Sequence, residues 1–245
     1  MEGLVTPQRA RALVLVAVLA TLVTVGGSPA AARAPQLPTV QLASAAGLAP
    51  DGLSLAINVI ASCPERWTVV EARVTVSQPQ ASGTGSFPLT CVGSKRPFFV
   101  TVRSTGGRFE LGSAQAVATV GVERGKTAQA QDSAAIQLDP TAVVDIADTA
   151  QLQGGGSGLT IGVTVACTRG TTALESYVAV TQGNLTGRGF YVPVCDGEPH
   201  AFTVDVTTSQ GVFHAGEARA LSFAVIEFGG ISSAGVGDEP IQIVT

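Results

Sequence analysis

The sequence predicts an all-β chain of two tandem sandwich domains, and three observations carry that prediction. The first is an internal repeat. A shift of 104 positions superimposes 40–125 on 144–229 without a gap, and 28 of those 86 positions are identical. The second is alternation. Each copy holds an apolar run of period two that ends in cysteine: Leu55, Ile57, Val59, Ala61, Cys63 and Leu159, Ile161, Val163, Val165, Cys167. Such a run forms a strand with one buried face, and the cysteine lies on that face. The third is composition. Only 13% of residues are charged and 5% aromatic, while Gly, Val, Ala and Thr abound. That suits sheet and argues against long surface helices. A repeat of this length is large enough for its own core, so 35–140 and 141–245 are read as one domain each.

Residues 1–34 read as a cleavable signal peptide. Arg9 and Arg11 supply the positive start, Ala12 to Val25 is an uncharged apolar run, and Gly26, Gly27 and Pro29 break it. Ala30-Ala31-Ala32 and Ala32-Arg33-Ala34 fit the small-x-small cleavage pattern. The run is too short for a comfortable membrane span. No cysteine follows it directly, which argues against a lipid anchor, and no later run is long and apolar enough to span. The expected location is therefore secreted and extracellular.

Each copy then unfolds in the same order. Val40 to Leu48 and Val144 to Leu152 open the domains. Turn signals follow at Ala49-Pro50-Asp51-Gly52 and at Gly154 to Gly158. After the cysteine-ended strand comes a third strand. In the first copy Val70, Ala72, Val74 and Val76 point inward, with Glu71, Arg73 and Thr75 outward. In the second, Leu174, Val178 and Val180 point inward, with Glu175 and Tyr177 outward. Gly83-Thr84-Gly85 and Gly187-Arg188-Gly189 are expected to be turns. Phe87 and Leu89, or Tyr191 and Pro193, lead into the second cysteine on the same parity, so each cysteine is expected on the inward face of a separate strand. Phe98, Val100 and Val102, matched by Phe202, Val204 and Val206, form a further strand. Both copies then read F-x-x-G-x-A-x-A, from Phe109 and from Phe213. Short strands at Ile136-Gln137-Leu138 and Ile241-Gln242-Ile243 close the copies. About seven strands per copy, with frequent turn signals, is the pattern of an immunoglobulin-like β-sandwich. The Cys…Trp…Cys spacing of true immunoglobulin domains is absent, because Trp67 has Thr171 as its counterpart and the second cysteine comes one strand early. The likeness is one of architecture.

Four cysteines allow three pairings. The duplicated spacing selects Cys63–Cys91 and Cys167–Cys195, one bridge per domain. A catalytic or metal role for them is disfavoured by the lack of C-x-x-C and by an oxidising compartment.

The formal charge of −4 does not suggest a nucleic-acid partner. It is unevenly shared: 35–140 carries eight basic and seven acidic side chains, while 141–245 carries three and ten, a net of −7. The only histidines are His200 and His214, with Asp196, Glu198 and Glu217 near them in sequence. They are the one candidate metal or acid–base centre, and the preferred reading is solvated loop residues. No G-x-S-x-G elbow, H-E-x-x-H helix or P-loop occurs. Gln78 and Gln182 share a register at the end of the third strand. They either line a ligand groove or satisfy strand-end backbone groups, and the second reading is preferred.

One further pattern runs V-x-Q, G-x-G, C-x-G, F-x-x-G-x-A. The second copy carries it as Val180, Gln182, Gly187, Gly189, Cys195-Asp196-Gly197, Phe213, Gly216 and Ala218, and the first departs at Val92. It resembles a family of uncharacterised exported actinobacterial β-sandwich domains. The resemblance spans both copies and implies no particular activity. The expected function is thus a non-enzymatic, exported binding or surface-interaction module, with no catalytic residues, no cofactor, no resident metal and a partner that is a protein or cell-envelope component. The alternatives are a secreted metal-dependent or histidine-dependent enzyme, or a small-ligand carrier, using the second domain.

Overall fold

Period-two alternation in the sequence becomes two rings of mostly antiparallel strands in the computed structural model, which describes residues 37–245. The expected signal segment, 1–34, lies outside the described residues. The first ring uses β1 (Thr39–Leu48), β2 (Ser54–Ser62), β3 (Thr68–Gln78), β4 (Ala81–Ser86), β5 (Arg96–Gly106), β6 (Gly112–Glu123) and β7 (Thr127–Pro140). The second uses β8 (Ala142–Gln153), β9 (Gly158–Cys167), β10 (Thr172–Ala173), β11 (Ser176–Gln182), β12 (Leu185–Tyr191), β13 (His200–Thr207), β14 (Gly216–Phe228) and β15 (Ile231–Val244). No α-helix occurs among the described residues. Only Thr141 stands between β7 and β8.

In the first ring the order is β1-β2-β5-β4-β3-β6-β7, closed by a parallel pairing of β7 with β1. In the second it is β14-β11-β12-β13-β9-β8-β15, closed by β15 on β14, with β10 added to β14. A sandwich of two open sheets is expected from the alternation. Instead, β4 bonds to β5 and β7 to β1, so both open edges are paired. Where these pairings run, the edge backbone is engaged within the ring rather than open to another chain.

The inward parity is filled as the alternation requires. Leu55, Ile57, Val59 and Ala61 of β2 are buried, as are Leu159, Ile161, Val163 and Val165 of β9. Burying each of the larger side chains contributes about 1.5–3 kcal/mol relative to leaving it exposed. The repeat extends to irregularities. β1 slips register against β2 between Leu42 and Ala46, and β8 slips against β9 between Ile146 and Ala150, the same positions one repeat apart. Gln78 and Gln182 behave alike too. Each amide accepts a backbone N–H (Glu110 or His214, both 2.9 Å) and donates back to the same residue's carbonyl. Both therefore serve the backbone that precedes β6 and β14.

Four expectations need correction. Val70 is 57% exposed, because β3 bulges against β6 between Val69 and Glu71. A bulge adds a residue and reverses the parity before it, so Val69 packs on the core instead. Gly83, Gly85, Gly187 and Gly189 form no turns; they lie inside β4 and β12. A Cβ on Gly85 would stand 2.3 Å from the Thr101 carbonyl oxygen, and one on Gly189 2.4 Å from that of Asp205. The glycines thus let neighbouring backbone cross closely. The closing strands are long, 14 residues each in β7 and β15, and pair along their length with β6 and β14. Lastly, Cys91 and Cys195 lie in the connections before β5 and β13 rather than on strands.

Both bridges form as the spacing selects, Cys63–Cys91 and Cys167–Cys195, each with partners 28 positions apart. Each ties the end of one strand to the approach of its hydrogen-bonded neighbour, β2 to β5 and β9 to β13. Such bridges suit an oxidising compartment. Among the described residues no helix is long and apolar enough to cross a membrane.

The two rings meet through Thr141 and Thr168. The Thr141 N–H donates to Thr168 Oγ1 at 2.9 Å, and the Thr168 N–H to the Thr141 carbonyl at 3.0 Å. Thr141 Oγ1 then donates to the Leu48 carbonyl at 2.6 Å, with Thr168 Oγ1 3.1 Å from the same oxygen. The second ring therefore caps the end of β1 in the first.

Candidate functional site

The two histidines do not form one site. His200 opens β13 opposite Val165, near the end of β9. His214 follows Phe213, whose N–H bonds to Gly156 just before β9 begins. The length of β9 from Gly158 to Val165 separates these two levels by more than about 20 Å at the strand rise. His200 does have a local partner: its Nε2 lies 2.9 Å from Asp196 Oδ1. The same carboxylate oxygen accepts the Glu198 N–H at 2.9 Å. That backbone bond first, and the His200 bond second, hold the Asp196 carboxyl below its ordinary pKa. Among the described residues no three His, Cys, Asp or Glu side chains come together in a metal-binding group.

A different feature stands out, on the outward face of the second ring. Strand register aligns Val236 of β15 with Phe223 of β14, Phe223 with Tyr177 of β11, and Tyr177 with Phe190 of β12. Directly paired residues share a face, so four apolar side chains form a row across four strands. The Tyr177 and Phe223 ring centroids are 5.1 Å apart, and those of Tyr177 and Phe190 6.5 Å. These tilted arrangements fall in the favourable range for aromatic pairs. Phe190 remains 59% exposed and Val236 55%. Along the chain from Phe190, Val192 and Val194 are exposed as well and lengthen the patch.

Charged groups border it. The Arg188 guanidinium carbon lies 5.6 Å from the centre of the Tyr177 ring, a cation–π contact. Arg219 grips Asp238 with two bonds, Nε to Oδ1 at 2.6 Å and Nη2 to Oδ2 at 2.7 Å. This pairing lowers the Asp238 pKa and raises that of Arg219. Arg188 and Arg219 are two of only three basic side chains in 141–245.

The first ring provides an internal comparison. One repeat back, Tyr177, Phe190 and Phe223 correspond to Arg73, Ser86 and Thr119. These are paired in the same lattice, Arg73 with Ser86 and with Thr119. There the row is polar, and Arg73 is engaged by Glu71 at 2.8 Å. The aromatic row is thus a property of the second copy, while the strand lattice beneath it is common to both.

The inner side of the same strands is core with a small polar group of Tyr191, Ser222 and Ser176. Tyr191 points inward from β12, and its hydroxyl lies 2.9 Å from Ser222 Oγ. Burial pushes the phenol pKa up, and the Ser222 bond partly opposes that.

A sequence signal for the row existed. In 189–195, Phe190, Val192 and Val194 occupy the outward parity and Tyr191 and Pro193 the inward one. A stretch apolar on both parities has apolar surface to cover on each side.

No protein-family model matches the chain, and no curated protein sequence matches it. Among solved structures it is similar to a conserved domain protein from Bacillus anthracis, at 10% identity and a TM-score of 0.27, over 83% of this chain and 86% of that one. It is similar to an alpha-2-macroglobulin variant from Salmonella at 14% identity and a TM-score of 0.28, over 83% of this chain and 16% of that one. A protein of unknown function from Porphyromonas gingivalis gives 11% identity and a TM-score of 0.23, over 83% and 98%.

Proposed function

We propose that the chain is an exported, non-enzymatic binding module whose second domain docks a partner protein of the cell envelope on the Tyr177–Phe190–Phe223 face. One observation carries the reading: these three positions are aromatic in the second copy and polar in the first, on the same strand lattice. Tyr and Arg are the residue types that dominate binding energy at protein interfaces, and Arg188 sits against Tyr177. A partner surface that is apolar at its centre, with one carboxylate placed opposite Arg188, complements this set. Self-association on the same face would bring together two domains of net −7 each, and like-charge juxtaposition opposes that.

Three finer readings belong to the proposal. The domains are of immunoglobulin-like type, supported by seven-strand rings with the parallel β1–β7 contact at one edge. The chain is kin to exported actinobacterial domains, supported by the shared V-x-Q, G-x-G, C-x-G and F-x-x-G-x-A pattern. Secretion is supported by the signal-like 1–34 and by two disulfides.

A photo-crosslinking residue placed at 190, with one at the equivalent position 86 as control, tests the docking face in the producing cell. Position 190 should yield a discrete adduct with one envelope protein and position 86 none. Equal labelling at both positions would reject the face, and an adduct of twice the chain's mass would reassign it to self-association.

A further inference from the structure

Between the two rings lies a cleft of about 400 Å³, within the size range of small-ligand sites. Domain junctions are a preferred place for such sites. Its floor is apolar: Leu48 and Phe109 are buried there, with Leu111 and Phe228 partly so. Its rim carries four charged side chains. Asp51, Arg108 and Glu110 come from the first domain and Arg169 from the second. None of the four belongs to an ion pair among the described residues. Arg169 spends only its Nε, on the Asp196 carbonyl at 2.8 Å. Asp51 spends one oxygen, on the Leu53 N–H at 2.9 Å.

The repeat separates what the core requires from what the cleft adds. Each domain has one end in the cleft, and the equivalent end of its copy lies outside it. At those ends Leu152 and Phe213 keep the core residues Leu48 and Phe109. The rim is not kept. Asp51, Arg108 and Glu110 correspond to Gly155, Val212 and His214, and Arg169 and Phe228 correspond to Glu65 and Arg124. This set of two acidic and two basic side chains, with the Phe228 wall, is therefore not something the repeated core requires.

The chemistry narrows the ligand. A simple anion would meet Asp51 and Glu110, and a simple cation would meet both arginines. An uncharged apolar molecule would cover the floor but leave the four exposed rim charges unpaired. A zwitterion with an apolar body pairs both signs and covers the floor. We infer that the cleft binds a short peptide with free termini and an apolar side chain, its carboxylate on Arg108 and Arg169 and its ammonium toward Asp51 and Glu110. The site is separate from the aromatic face and stands independently of it.

Titration of the full mature chain with tripeptides carrying Leu, Phe or Val at the centre, followed by NMR, tests this. At least one should bind in the micromolar to millimolar range, with backbone amides of Gly52 and Arg169 shifting together. N-acetylation plus C-amidation of that peptide, or the exposed double change Arg108→Gln with Glu110→Gln, should weaken binding by about tenfold or more, since each charged hydrogen bond lost costs that much. Phe190→Ser should leave it unchanged. Octanoate and octylamine form the comparison arms. The inference fails if no tripeptide binds, if the blocked peptide or the double variant binds equally, if shifts are confined to one domain, or if octanoate alone binds as tightly.

Discussion

Tyr191 is one of two tyrosines, and the two show how parity assigns roles within a single strand pair. Tyr177 faces outward into the aromatic row, while Tyr191, on the neighbouring strand, faces the core with its hydroxyl on Ser222. Burial raises the Tyr191 phenol pKa above its ordinary value. The folded state therefore holds the phenolic proton more tightly than the unfolded chain does. The stabilisation is fully present below the unfolded pKa near 10 and is lost as pH rises through the folded pKa. In Tyr191→Phe this alkaline loss should vanish, at a cost near neutral pH of about 1 kcal/mol for the hydrogen bond. Ser222 keeps a partner in the Tyr177 carbonyl at 3.2 Å, which limits that cost. Urea unfolding of both proteins below and above pH 10 measures the difference. Parallel loss of stability in the two would show that Tyr191 is not the titrating group.

At the scale of elements, the glycines of β4 and β12 matter more than the turns they resemble. Gly189 has ordinary extended backbone, so its substitution tests space alone, whereas Gly183 has φ +60° and open surroundings. Gly189→Ala should destabilise by about 1–3 kcal/mol through overpacking against β13, and Gly183→Ala by about 1 kcal/mol through conformation. Urea midpoints order the two, and a smaller effect at Gly189 would contradict the close crossing. The same elements show what the sequence reveals. Strands β2 and β9 are legible because Leu55 to Cys63 and Leu159 to Cys167 alternate cleanly. The β3 bulge is not, since nothing local distinguishes Val69 from Val70, and their facing is decided by pairing with β6. The length of β7 is hidden because Ala128 to Ala135 offers no large apolar side chain. The aromatic row is the extreme case. Tyr177, Phe190 and Phe223 are distant in sequence and become neighbours only through register, although the two-sided apolarity of 190–194 pointed to a covered outer surface.

At the scale of the molecule, every ladder pairing stays within its own ring, and each ring carries its own disulfide. The rings touch through directed bonds from Thr141 and Thr168 to Leu48 and through the walls of the cleft. Strand exchange, in which 136–138 or 144–146 completes the neighbour's sheet, does not occur: β7 pairs with β6 and β1, and β8 with β9 and β15. Residues 35–140 and 141–245 should therefore fold when expressed separately. Closing a loop of this length contributes ~3–4 kcal/mol on the chain-entropy account, so reduction should destabilise each half by a similar amount. The joined chain should add only a little to this, because the Leu48 carbonyl can bond to water once Thr141 and Thr168 are gone. Circular dichroism and urea unfolding of each half, oxidised and reduced, give the measurements. A half that stays unfolded with its disulfide formed, yet folds on mixing with the other, would show that the rings complete each other and that the repeat is not a pair of independent domains.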